Sequence, residues 1–239
     1  MAVPRKLRSV NRSLALAGTG LIWIALLGPV IALLTHLSWH AITSSLSAPG
    51  AFEPLILSVQ SGAVTLGVLV LLGTPLAWAL ARGALPFPRV WETGVLASLL
   101  LPPLVVGLLL VFLVGPYTPI GHVLSGLHLS ATDTFLALVI AQVYESAPYY
   151  VLGAQAAFAG VDPRLEQQAA LLGDPPGRAF RRVTVPLAAP GLAMALAIAW
   201  ARAMGAFGAV VIIAYHPTAL PLPLAAYIWS ARARGRRRG

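Results

Sequence analysis

The chain has 239 residues, 58% of them hydrophobic and only 10% charged, with a mean hydropathy of +0.83. Soluble domains carry about 25% charged residues to solvate their surface, so most of this surface must face something other than water. A net charge of +9 raises the question of nucleic acid, while the absence of cysteine excludes a disulfide scaffold, a thiolate zinc site and an iron–sulfur cluster.

In chain order, Arg5, Lys6 and Arg8 precede an apolar run over residues 14–37. A cleaved signal has an apolar core of roughly 7–15 residues, so this longer run reads as an uncleaved first membrane helix after a cytoplasmic N-terminus, residues 1–13. Four further spans are predicted at 55–80, 91–114, 135–158 and 191–215, each able to cross a hydrocarbon layer about 30 Å thick. Gly62, Gly67 and Gly73 are small residues that let helices approach closely. The expected architecture is all-α and polytopic, with five clear spans and a permease domain over residues 14–215.

The charges test this topology. With the N-terminus inside, the inner segments carry Arg5, Lys6, Arg8 and Arg12, then Arg82 and Arg89, then Arg164, Arg178, Arg181 and Arg182. The outer loops, 40–54 and 115–134, hold no Lys or Arg, as the positive-inside rule requires. Clusters placed this way orient a membrane protein, and nucleic acid binding is not expected. The tail, residues 216–239, departs from the rule. A short Pro-containing stretch (219–230) is followed by arginines at 232, 234, 236, 237 and 238, which five spans would leave outside. A sixth span is therefore expected to be absent or incomplete, through an incomplete C-terminus or a changed reading frame.

The inner loop at 160–186 carries two start signals and one stop. Asp162 is an N-cap with Pro163 at the first helical position, Gly173 stands where a helix closes, and Asp174-Pro175 repeats the start. Leu165, Ala169 and Leu172 share one helical face. A short amphipathic helix between two spans lies in the membrane interface or docks a partner, and the pattern leaves both open.

Three segments resemble the permeases of binding-protein-dependent ABC importers. In the loop, Gln167, Gln168, Ala169, Gly173, Val183, Val185 and Pro186 keep the spacing of the motif E-A-A-x(3)-G-x(9)-I-x-L-P. Gln replaces its Glu and an Ala, Val replaces Ile and Leu, and Glu166 stands one place before the usual acid. Leu101-Pro102-Pro103-Leu104-Val105-Val106-Gly107 is similar to the L-P-P-x-V-x-G stretch of molybdate and sulfate permeases. Residues 199–209, with Arg202, Gly205, Phe207 and Gly208, are similar to their F-A-R-x-x-G-E-F-G-A segment.

The resemblance covers roughly residues 55–215. It implies a helix at Glu166–Gly173 that couples to a separate ATP-binding subunit, a soluble substrate-binding protein as second partner, a homodimer in the inner membrane, and molybdate as cargo, with tungstate or sulfate as alternatives. A final helix beyond the outer loop is also implied. No cofactor is.

The chain cannot itself bind nucleotide through a phosphate loop, because its only lysine is Lys6, ahead of the first span. His36, His40, His122, His128 and His216 are scattered, so no metal or catalytic site is expected. A secondary transporter would show internal repeats, which are missing. A membrane enzyme such as a lipid phosphatase would need acid–histidine clusters at one face. Within the spans, Arg202 and Glu145 are expected to face the protein interior, since a lone ion there costs about 2.5–3.5 kcal/mol. The related permeases place a Glu after Gly205, where this chain has Ala206. Glu145 is read as the replacement partner of Arg202. The alternatives are an Arg202 free to attract a passing oxyanion, or one that meets only carbonyls beside a protonated Glu145.

Overall fold

The computed structural model describes residues 5–36, 52–127, 129, 131–132 and 134–213, and among these the secondary structure is entirely helical. It divides into two units, up to Phe52 and from Glu53 onward. The first holds α1 (Arg5–His36), with Pro29 inside it. The helix starts at Arg5, so the segment expected as a cytoplasmic N-terminus is already helical there, and its apolar stretch is Leu16–Ala32.

In the second unit, α2 (Glu53–Val68) runs through a π-helical segment (Leu69–Gly73) into α3 (Thr74–Ala81). Together they make the second expected span, Ile56–Ala81. The third is not one helix. α4 (Pro88–Leu99) and α5 (Pro103–Val114) meet at an angle of 116°. Pro103 lacks an N–H and disfavours a helical residue before it, so Pro102 is extended (φ −61°, ψ 140°) and the helix cannot continue. At 12 residues apiece, each half is about 18 Å long, too short to cross the membrane alone.

A short helix, α6 (Pro119–Gly126), occupies what the sequence offered as an outer loop. Its N-cap is Thr118, whose hydroxyl accepts from Gly121 N at 3.0 Å. α7 (Phe135–Ala159) matches the fourth expected span to within a residue. α8 (Pro163–Leu171) and α9 (Pro176–Ala179) follow, and a second π-helical segment (Phe180–Thr184) joins α9 to α10 (Val185–Met204). Pro176–Met204 is one helix of 29 residues. The fifth span thus begins inside the expected loop, well before residue 191. Pro186 and Pro190 both lie inside this continuous helix, Pro186 just after the π-helical segment, and neither ends it. The span also stops early: the chain breaks at Gly205 and Ala206, then resumes as α11 (Phe207–Ile213). Residues 214–239, including the tail and any sixth span, lie outside the described residues.

α7 is the hub, packed by α2, α3, α4, α10 and α11. Around its first half lies a core with Val106, Leu110, Ala137, Ala141, Val210 and Ile213. Around its second half lies another, with Ala77, Tyr150, Ala154, Phe158, Ala188 and Ala199. The many alanines allow the close contact that lipid-embedded helices need, since lipid offers them no hydrophobic push together. Of the three glycines on the second span, Gly62 abuts Trp200 and Met204 and Gly73 abuts Tyr150, while Gly67 faces open space. A buried polar chain also ties α2 to α7: Thr65 donates to Gln142 Oε1 at 3.0 Å, and Gln142 Nε2 donates to Ser61 at 3.1 Å.

Candidate functional site

The loop helix α8 is built by its ends. Asp162 Oδ1 accepts from Arg164 N at 2.9 Å, satisfying one of the first free N–H groups. At the other end Gly173 adopts φ +95°. Gly173 N donates to Ala170 O and Asp174 N to Ala169 O, each at 3.0 Å, the paired bonds of a Schellman stop. The second start signal is read differently: the next helix begins at Pro176 with Pro175 as its N-cap and no side-chain cap, and Asp174 lies beside Arg178 and Arg182 instead.

The leucines of the apolar face point outward. Leu171 is 87% and Leu172 90% exposed, and Leu165 is exposed as well. Glu166 and, of that face, Ala169 are half-buried, while Gln168 is exposed. Glu166 Oε1 accepts from Arg82 Nη2 at 2.8 Å and from the Thr184 hydroxyl. Arg82 Nη1 also donates to Val161 O at 3.0 Å. Burial, the largest single influence on the Glu166 carboxyl, pushes its pKa up, but the Thr184 and Arg82 contacts outweigh it and hold it below the usual carboxylate value. Beside this group, Glu166, Gln167 and Ala170 form one wall of a mainly apolar cleft of 490 Å³, with Thr74, Pro75, Trp78, Pro176, Gly177, Ala179 and Phe180 opposite. Val183 is half-buried and Pro186 exposed.

Sequence reading singled out Glu166 but neither of its partners. Arg82 was counted only as a topological charge, and Thr184 was one of the motif's unspecified positions. Nothing local marks them, because they stand 84 and 18 residues from the acid they hold.

A second charged site lies where two helix breaks meet. Arg202 is in the last turn of α10 rather than mid-span, so its charge complements the helix C-terminus. Arg202 Nη2 stands 2.9 Å from Glu145 Oε2, the Glu145 side chain being 2% and that of Arg202 30% exposed. The guanidinium also lies 5.8 Å from the Tyr149 ring centre. A small cavity of 20 Å³ touches Glu145, Pro148, Tyr149, Arg202 and, from the α4–α5 break, Leu101 and Pro103. Pro102 shapes that break, and Gly205 ends α10. Phe207 opens α11 and is half-buried. Gly208 belongs to packing: a Cβ there would lie 2.6 Å from Pro103 Cβ.

Comparison with known proteins gives concordant findings. The family model for binding-protein-dependent transport system inner membrane components matches residues 70–232. A probable molybdenum ABC transporter permease protein of Haloferax volcanii is 34% identical over 222 residues, 93% of this chain and 81% of the relative. The molybdenum transport system permease protein of Mycobacterium tuberculosis is 33% identical over 195 residues, 82% and 73% of the two chains. Among solved structures, a bacterial alginate ABC transporter in complex with a periplasmic protein bound to an alginate pentasaccharide superposes with a TM-score of 0.63 at 19% identity. That match covers 98% of this chain and 88% of the other.

Proposed function

This chain belongs to the family of binding-protein-dependent transport system inner membrane components, and from that premise we propose that it is the membrane-spanning subunit of an importer powered by a separate ATP-binding subunit. The observation that carries this reading is α8. A capped helix outside the bundle core leaves Leu171 and Leu172 almost fully exposed. Adjacent exposed leucines on a rigid short helix suit an apolar cleft on a partner. The loop motif that the sequence keeps in spacing begins on this element, at Gln167–Ala169.

The cargo we propose is a tetrahedral oxyanion, molybdate first, because the relatives named for molybdenum transport match most of the chain. A soluble binding protein delivers it, and two copies of the chain enclose the path across a two-fold axis. By the positive-inside rule the N-terminus, with Arg5, Lys6 and Arg8, faces the cytoplasm, and so does the loop that holds Arg164, Arg178, Arg181 and Arg182.

Co-purification tests the partner directly. An affinity-tagged chain, expressed with its neighbouring genes, brings down an ATP-hydrolysing subunit, and proteoliposomes containing both take up radiolabelled molybdate only with ATP and the binding protein present. Excess tungstate and sulfate then rank the anions. Uptake by the chain alone, driven by an ion gradient, would overturn the importer reading in favour of a secondary transporter.

A further inference from the structure

We propose that Arg82 and Thr184 are positioning residues that clamp α8 to the inner ends of two membrane helices, so that a force on α8 moves those helices instead of bending the loop. This rests on the importer reading above and assigns a transmission route within it.

The clamp has one acid and two donors from distant parts of the chain. Arg82 follows directly on the last residue of α3, and Thr184 is the last residue of the π-helical segment leading into α10. Both reach the same carboxylate oxygen of Glu166 in the first turn of α8. The ion pair is shielded, with side-chain exposures of 12% for Arg82 and 22% for Glu166, so water screens it less than an ordinary surface pair. The second arm of Arg82 holds Val161 O, in the residue before the N-cap of α8. The helix is therefore gripped at its approach and in its first turn.

Packing alone does not hold α8 in place. It contacts mainly α9 and the π-helical segment, and a 490 Å³ cleft opens beside it, lined also by Thr74, Pro75 and Trp78 of α3. Without the clamp, α8 could shift into that space and leave α3 and α10 where they are. Both clamped helices also carry a π-helical segment, Phe180–Thr184 at the clamp itself and Leu69–Gly73 nine residues before Arg82. Such segments recur at functional sites.

The test uses the assembled transporter in proteoliposomes and reads molybdate uptake per ATP hydrolysed, alongside the thermal midpoint of the complex. Arg82→Gln and Thr184→Val each lower that ratio about tenfold, within the range of an allosteric coupling, while assembly and basal ATP hydrolysis stay at the wild-type level. Thr184→Ser restores the ratio. Arg82→Lys gives an intermediate value, because lysine keeps the charge and loses the second arm. If Arg82→Gln does not assemble, Thr184→Val still decides, since it removes only the hydroxyl. A wild-type ratio in both variants, or uptake, hydrolysis and midpoint falling together, overturns the clamp. A wild-type chain that brings down no ATP-hydrolysing subunit overturns the importer reading itself, and the clamp with it.

Discussion

At Glu145 the carboxylate has given up nearly all solvent contact and faces Arg202 at 2.9 Å. Removing one charge from such a pair strands the other. Glu145→Gln is expected to destabilise the chain by about 3 kcal/mol, the low end for a buried pair because Arg202 keeps some exposure. Thermal unfolding in detergent checks this, and a midpoint equal to wild type would show that the pair carries little. Glu166 behaves differently, since it lies in the loop and its pKa is lowered. A depressed carboxylate pKa means that the unfolded state takes up protons first on acidification. The stability that Glu166 contributes is therefore fully present above its ordinary value of 4.5 and is lost as pH falls through its folded value. Unfolding midpoints measured between pH 7 and pH 3 should show this loss in the wild type and a flatter profile in Glu166→Gln.

The helix α8 is specified by its ends, so it is most sensitive there. Gly173 has φ +95° and open space around its missing Cβ, which makes its requirement one of backbone conformation, not of room. Gly173→Val forces a β-branched residue into that region at a cost of about 1–3 kcal/mol, and Gly173→Asn costs less. Uptake should fall in that order while ATP hydrolysis persists; equal uptake in all three would dissociate the helix stop from coupling. The contact between α5 and α11 is limited by space instead. Gly208→Val places atoms against Pro103 and is expected to lower stability by about 1–3 kcal/mol, whereas Gly67→Ala, facing open space, leaves the melting midpoint nearly unchanged.

For the molecule as a whole, orientation follows from where the arginines lie, and the absence of cysteine makes it measurable. A cysteine at Tyr117, fully exposed between α5 and α6, should react in intact cells with a maleimide that cannot cross membranes. One at Arg178, exposed on α9, should react only after the cells are opened. The reverse pattern would invert the proposed orientation and place α8 away from cytoplasmic ATP.

Sequence alone determined the membrane character, the long helices and both ends of α8, because these follow from local properties. Apolar length must match a fixed bilayer thickness, and Asp162, Pro163 and Gly173 act on backbone groups within a few residues of themselves. It also brought Glu145 and Arg202 under one heading, since two unlike charges in apolar surroundings have few other partners. Hydropathy could not see that the third span bends by 116° or that the fifth begins at Pro176 and stops at Met204. A window that averages apolar residues does not register a change of direction, and it cannot tell Pro103, which stands at a break, from Pro186 and Pro190, which a continuous helix accommodates. Only the tertiary structure decided which residues hold Glu166. Arg82 and Thr184 meet it because α3, α8 and the start of α10 come together in space, a relation no local pattern along the chain encodes.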